Sequence, residues 1–461
     1  MKFKLRLYVS LICVLITLSV LLTSCNTVVH SGIVDAEINE NGELIVVYDD
    51  GSQQNLGVVV GASGADGANG LDGSAAEKGE KGENGKNGVD GADGSLVITS
   101  DGSSIPAASA KGLRSAVSIA CTFTATVQQG GYRPGTGGST AKEYSSAGSG
   151  VIYKLDRGEG DAFIITNYHV VYDASSNSVD GISNDIKVYL YGSEIESKAI
   201  EATYVGGSLY YDIAVLRIED SQILSESDAC AVTVADSDLI RVGDSSIAIG
   251  NAQGYGTSVS AGVVCVDSEY IDMTAADGKT TVSFRVMRID SAVNSGNSGG
   301  GLYNDKGELI GIVNAKIVDD TVENIGYAIP SKVAISVADN IIDYCFGTSI
   351  SRVQRAVVGI SVTVSDSKAV YDSNTGDVSI EETVSVYSVT SGSLADGVMK
   401  TGDVLVSAVV NGKTIDITRQ YHVIDLMLDM RVGNVITFNV LRSGVATALN
   451  ITVTQDCLVE Y

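Results

Sequence analysis

Behind Lys2, Lys4 and Arg6, an apolar run extends from Leu7 to Leu22 and ends in small residues. A membrane-spanning helix needs about 20 apolar residues, so this shorter run with its cationic start fits an export signal. Downstream, "GELIVVYDDGSQQNLGVVV" forms two short apolar stretches around Asp49-Asp50-Gly51, the pattern of a β-hairpin. Hydrophobic periodicity then stops. Glycine occupies every third position from Gly61 to Gly94, and only Ala76 misses the beat. Beyond Lys111 the chain becomes short β-rich runs broken by Gly, Asn and Asp: "SAVSIACTFTATV", "SGVIYKL", "DAFIITNYHVV", "IKVYLY", "DIAVLRI" and "SIAIGNA". Such spacing predicts a barrel architecture. One stretch, "SKVAISVADNIIDYC", changes to helical period and puts Val333, Val337, Ile341 and Ile342 on one face. It closes the β-rich unit near Phe346. A separate unit comes next, with strands, a helix near Arg419–Met430, and strands again.

Size agrees with that division, since 461 residues exceed one ordinary core and imply two or three units. Formal charge is −26, and removal of the first 24 residues takes three cations and no acid, giving −26 − 3 = −29. A surface this acidic repels phosphate backbones, which excludes nucleic acid as a partner; its plain meaning is colloidal solubility. The apolar run ends in "LTSC", Leu22 to Cys25, which resembles the bacterial lipoprotein signal. That resemblance implies acylation of Cys25 and a new N-terminus there. An uncleaved N-terminal anchor is the alternative, and both place the bulk of the chain at a membrane, outside the cytoplasm.

After Cys13 and Cys25, the remaining cysteines are Cys121, Cys230, Cys265, Cys345 and Cys457. They are odd in number, widely spaced and without CxxC, so neither a disulfide framework nor a zinc site is indicated. They read as small hydrophobes. No metal site or cofactor motif stands out, and "VDGADG" lacks the ligand spacing of a calcium loop. The glycine beat has its own chemistry, because only glycine fits at the crowded axis of a triple helix. The segment resembles bacterial collagen-like stalks. It contains no proline, while "EKGEKGENGKNG" offers Lys–Glu pairs between chains. A flexible linker is the alternative.

"NSGNSGGGL", Asn294 to Leu302, reads either as a glycine-serine turn or as a backbone cradle that holds Ser298 up as a nucleophile. Serine acyl transfer needs a base to take the hydroxyl proton, a carboxylate to orient that base and backbone donors for the oxyanion. The chain has three histidines, His30 beside the anchor, His422 in the last unit, and His169. Only His169, in "TNYHVV", shares the expected barrel unit with Ser298. The carboxylate candidate is Asp212 in "YYDIAVLRI", at the mouth of an apolar strand. An acid there needs a partner, since burying it alone is costly; a strand-start turn residue is the bland alternative.

Together these stretches resemble the trypsin-fold proteases of the HtrA (Deg) family. The similar motifs are "GSGVIY", "TNYHVV", "DIAVLRI", "IGNAQGYGTSVSAGVV", "IDSAVNSGNSGGGL" and "GYAIPS", in order from Gly148 to Ser331. The order His, Asp, Ser fits a chymotrypsin-like arrangement. The resemblance implies a mainly β fold, a chymotrypsin-like double β-barrel. It implies His169 as general base and acid, Asp212 as its orienter, Ser298 as nucleophile, and the N–H groups of Gly296 and Ser298 as oxyanion donors. Ala292, six residues before the nucleophile, would lie at the base of the primary pocket and favour small or medium apolar residues. The family commonly has proline on both sides of the Gly-Asn-Ser-Gly-Gly core; Ser295 and Gly301 stand there in this chain, which leaves the resting state of the oxyanion hole open.

The last unit resembles a PDZ domain, α+β in class, through "SGSLADGVMKTGDVLVSAVVNGKTI" and "VGNVITFNVLRSG". Val357, Val358, Gly359 and Ile360 would form its carboxylate-binding loop. The expected division is a signal over 1–24, a tether with a short hairpin over 25–60, the Gly-X-Y stalk over 61–96, a linker over 97–112, the protease over 113–347 and the PDZ domain over 348–461. The resemblance implies a lipid-anchored extracytoplasmic serine endopeptidase with no cofactor. Its partners would be unfolded or damaged exported proteins and apolar C-terminal peptides, and it would form a homotrimer whose symmetry matches a three-chain stalk. An adhesion protein with an inactive barrel, or a regulatory protease with one substrate, are the other classes consistent with the sequence.

Overall fold

The computed structural model of the chain describes residues 33–39, 43–48, 51–58, 104–128, 139–315, 325–373 and 375–461. The export signal, Cys25, His30 and the glycine repeat lie outside the described residues. The chain divides into two units, Met1–Gly91 and Ala92–Tyr461. In the first, β1 (Ile33–Ile38), β2 (Glu43–Tyr48) and β3 (Gln53–Val58) form an antiparallel sheet in chain order. The expected hairpin is β2–β3, in register from Glu43↔Val58 to Val47↔Gln53. β1 adds a third strand that the hairpin pattern did not include.

The second unit begins with helix α1 (Ile105–Leu113), in what reads from the sequence as a linker. Ser104 caps it by accepting the Ala107 N–H at 3.2 Å, and proline sits in its first turn, both ordinary helix starts. Ala108 is buried against the barrel core. This helix packs on the barrel core although it begins before residue 113.

Two closed six-stranded antiparallel barrels come after it. The first has the order β4-β5-β6-β9-β8-β7, with β4 (Ala116–Gln128), β5 (Ser139–Asp156), β6 (Asp161–Thr166), β7 (Asp185–Leu190), β8 (Ile200–Ser208) and β9 (Ile213–Ile218). β7 alternates buried and part-buried positions with period two, while β9 is nearly all apolar and buried along its length. Its interior is filled by β-branched and leucine side chains such as Ile119, Ile164, Val188 and Leu216, each worth about 1.5–3 kcal/mol when fully buried. The second barrel is β10-β11-β12-β15-β14-β13, from β10 (Ser245–Gly250), β11 (Ser258–Thr274), β12 (Thr281–Ile289), β13 (Gly301–Tyr303), β14 (Leu309–Val313) and β15 (Gly326–Pro330).

The predicted helix is found at α2 (Ser331–Cys345). Val333, Val337 and Ile341 are buried in a cluster with Ile165, Val215, Ile312 and Ile329, so one helix face seals both barrels; Ile342 is half-buried beside them. After β16 (Gln354–Ala356), a sheet of order β17-β18-β19-β21-β22 is built from β17 (Ile360–Asp372), β18 (Asp377–Val389), β19 (Val404–Val410), β21 (Val435–Arg442) and β22 (Val445–Thr452), with β20 (Lys413–Asp416) on β19. Helix α3 (Gln420–Asp429) matches the expected one, and β23 (Leu458–Glu460) pairs β16. Asn340 of α2 ties this unit to the barrels: its amide donates to Gln354 O and its oxygen accepts the Gln354 N–H, both at 2.8 Å. Among the described residues the cysteines are free thiols; Cys121, Cys345 and Cys457 are buried, whereas Cys265 is exposed.

Candidate active site

Ser298 sits in the loop between β12 and β13, and that loop is a cradle. Asn297 N–H reaches Asn294 O at 3.0 Å and Gly300 N–H reaches Asn297 O at 2.9 Å, giving successive tight turns. Gly296 has φ +95° and Gly299 φ +84°, conformations that only glycine adopts without strain. A Cβ at Gly296 would run into Asn251 O, and one at Gly299 into Ser149 O and Thr166 Oγ1. Ser149 of β5 clamps the loop from the first barrel: its N–H donates to Ser298 O at 2.8 Å, its Oγ to Gly296 O at 2.7 Å, and that Oγ accepts the Asn251 N–H at 2.7 Å.

His169 stands in a single helical turn, Tyr168–Val171, directly after β6. Asp212 precedes β9, the strand paired to β6, so antiparallel pairing brings the two residues side by side across 43 positions of sequence. His169 Nδ1 lies 2.6 Å from Asp212 Oδ2, and the His169 N–H donates to Asp212 Oδ1 at 3.0 Å. Asn314, at the end of β14, donates its amide to Asp212 Oδ2 at 2.8 Å. The Asp212 carbonyl accepts Tyr168 N–H at 3.1 Å and Asn167 Nδ2 at 2.8 Å. A carboxylate only 4% exposed is thus surrounded by donors, which offset its lost hydration. Asp212 also has φ +51°, a left-handed backbone that Asp tolerates better than most residues. Nδ1–H donating to Asp212 leaves Nε2 of His169 as the basic nitrogen.

Ser298, His169 and Gly296 line one cleft of about 220 Å³, together with Ser146, Ala147, Val170, Ser295 and Ala315. Ser298 Oγ accepts the Ala315 N–H at 3.2 Å, and among the described residues it makes no hydrogen bond to His169. Catalytic hydrogen bonds often close only when substrate is bound. The N–H groups of Gly296 and Ser298 make no hydrogen bond within the described residues. Ala292 is exposed, its carbonyl accepting from Ser260 Oγ at 2.8 Å, and it is not among the residues lining this cleft. Far from the cleft in sequence, the 357–360 loop joins β16 to β17. Val357 N–H already donates to Cys457 O at 2.8 Å, and Gly359, at φ +89°, packs under Ser393. Among the described residues, the Val358 and Gly359 amides make no such bond. His422 is on α3, its Nδ1 accepting the Thr418 N–H at 3.3 Å.

Asn314, Ser149 and Asn167 are the site residues that sequence reasoning did not identify. Asn314 had a readable signal: it is a polar residue ending the wholly buried strand "LIGIV". Substituting Gly296 by Ala is expected to destabilise the protein by about 1–3 kcal/mol, the range for a strained left-handed backbone, and to lower kcat with little change in KM. Urea unfolding and peptide kinetics check both; wild-type values would mean that the loop relaxes freely.

Residues 148–312 match the family model of the trypsin-like peptidase domain. The chain is 33% identical over 310 residues to serine protease Do-like HtrA of Bacillus subtilis (strain 168), covering 65% of this chain and 62% of that protein. It is 32% identical over 331 residues to periplasmic serine endoprotease DegP of Escherichia coli (strain K12), covering 71% of this chain and 61% of that one. The match thus spans about 60% of the length of these relatives. Among solved structures, the HtrA-type protease AlgW with decapeptide is similar at 24% identity and a TM-score of 0.47, over 78% of this chain and 99% of that one.

Proposed function

Starting from a trypsin-like peptidase domain similar to those of the HtrA and DegP serine proteases, we propose that the chain is a serine endopeptidase in which Ser298, His169 and Asp212 act as nucleophile, base and orienter. The observation that carries this reading is the 2.6 Å contact of His169 Nδ1 with Asp212 beside a cleft that His169 shares with Ser298. His169 Nε2 takes the Ser298 proton as Oγ attacks the scissile carbonyl, and later returns it to the leaving amine. Asp212, fixed by Asn314 and the His169 N–H, holds the ring and stabilises the imidazolium. The Gly296 and Ser298 amides receive the oxyanion.

The substrates are unfolded or damaged exported proteins, cleaved after small or medium apolar residues; Ala292, exposed and outside the cleft lining, does not carry that preference. Residues 348–461 act as a PDZ domain that captures apolar C-termini by strand addition to β17. With Val357 N–H engaged by Cys457, the carboxylate falls to the Val358 and Gly359 amides. Amidating a bound peptide's C-terminus should then abolish most of its affinity, as fluorescence anisotropy would register; equal affinity would rule this mode out. The chain is held at the membrane through acylated Cys25 and a collagen-like stalk over 61–96, and assembles as a trimer. At about 3 Å per residue, such a stalk lifts the protease roughly 100 Å from the bilayer. Labelling with a fluorophosphonate probe tests the central reading: covalent modification at Ser298 is expected, and an unlabelled native protein would indicate an inactive barrel.

A further inference from the structure

Tyr211, immediately before Asp212, is held by the segment that leads into the C-terminal sheet. Arg355 of β16 donates from Nη1 to Tyr211 Oη at 3.0 Å. The same guanidinium lies 5.0 Å from the Tyr461 ring centroid, and Tyr461 stands edge-on to Tyr210 at 5.3 Å. Tyr211 N–H donates to Ser208 Oγ at 3.2 Å, which fixes the backbone at its other end. Beside the tyrosine is a cavity of about 130 Å³, lined by Tyr211, Tyr270, Phe284, Val333, Arg355 and Asp425. Tyr211 is otherwise buried, edge-on to Tyr210 at 4.9 Å, but on the cavity side it lacks packing partners, and there the hydrogen bond from Arg355 fixes its hydroxyl.

The residue after Tyr211 makes this dependence matter. Asp212 is in left-handed backbone, a geometry that persists only when its surroundings over-determine it. The bonds from Tyr168 and Asn167 reach its carbonyl. The preceding side is determined through Tyr211. Resting on the reading of Asp212 as the orienter of His169, we propose that Arg355 and Tyr211 form a positioning pair: the pair holds the Asp212 backbone so that its carboxylate stays on His169. Arg355 stands two residues before Val357, so the stretch entering the 357–360 loop is part of what positions the hydrolytic site.

The test uses the full chain with Tyr211→Phe, Arg355→Ala, Arg355→Lys and the Tyr211→Phe/Arg355→Ala double variant. Tyr211→Phe and Arg355→Ala should each lower kcat about tenfold with KM within about twofold, as misplacement of a catalytic group does. The double variant should be no slower than the worse single, the mark of a coupled pair, and Arg355→Lys should recover part of the loss. The low-field proton resonance of His169 Nδ1–H should shift or broaden in the same variants. Tyr211→Phe keeps the ring and the fold, so wild-type kcat and an unmoved resonance in that variant would overturn the proposal; additive losses in the double variant would overturn it too. Failure of wild-type protein to react with fluorophosphonate instead overturns the hydrolytic reading, and the resonance still decides the pair.

Discussion

Ser298→Ala is expected to lower kcat for peptide hydrolysis by at least about 10⁴-fold while the protein stays folded. The magnitude comes from the chemistry, since removing the nucleophile of such a set leaves only the oxyanion donors and binding. Folding should survive because, among the described residues, the Ser298 hydroxyl accepts one N–H, from Ala315 at 3.2 Å, while the loop is held by main-chain bonds and by Ser149. His169→Ala should give a comparable loss, as the other histidine in the described residues, His422, lies in the C-terminal unit on α3. Casein digestion and circular dichroism check both halves. Activity near wild type in Ser298→Ala would remove the assignment, and loss of folding would show that the hydroxyl is structural.

Much of this site was readable because its chemistry concentrates on rare residues. Three histidines in the chain leave little choice of base, and Asp212 at the head of "IAVLRI" is an acid where the strand gives it no solvent. A barrel architecture follows from short apolar runs, its doubling was implied only by the family resemblance, and α2 follows from one change of period. The features that escaped were set by distance in space. Asn314 reaches Asp212 across 102 positions; its place at the end of a buried strand marks it as a polar residue needing a partner but does not name that partner. Helix α1 escaped because "IPAASAKGL" has no wide apolar stripe; only Ala108 and Gly112 are buried. The absence of proline at 295 and 301 left the resting state of this loop open from the sequence; in the structure both positions are held by backbone pairing. Ser295 O accepts the Gln253 N–H at 2.7 Å, and Gly301 is paired to Ile249 and Ile312.

Replacing Arg285 by Ala should destabilise the barrel–sheet junction by about 3–5 kcal/mol at pH 8, the penalty for leaving a buried charge unpaired. Arg285 is 2% exposed in its side chain and lies between Asp425 of α3, at 2.7 Å, and Asp238, at 2.8 Å. Its Nε donates to Ser268 Oγ at 2.9 Å, and its guanidinium lies 3.5 Å from the Tyr421 ring centroid. Burial pushes the Asp425 carboxyl up to about 6, against the opposing pull of Arg285. The folded protein therefore binds this proton more tightly than the unfolded chain, whose carboxyl titrates at the ordinary 3.8. Stability from this group is greatest below that value and falls as pH rises through about 6. Above the window Asp425 is ionised and depends on Arg285; within it, a protonated Asp425 needs the cation less. The cost of Arg285→Ala should consequently be smaller at pH 5 than at pH 8, and adding Asp425→Asn should restore much of the loss at pH 8. Urea unfolding at the two pH values reads both effects. Equal costs at pH 5 and 8, or no rescue by the second substitution, would mean that the protonation of Asp425 does not govern what Arg285 contributes to the junction.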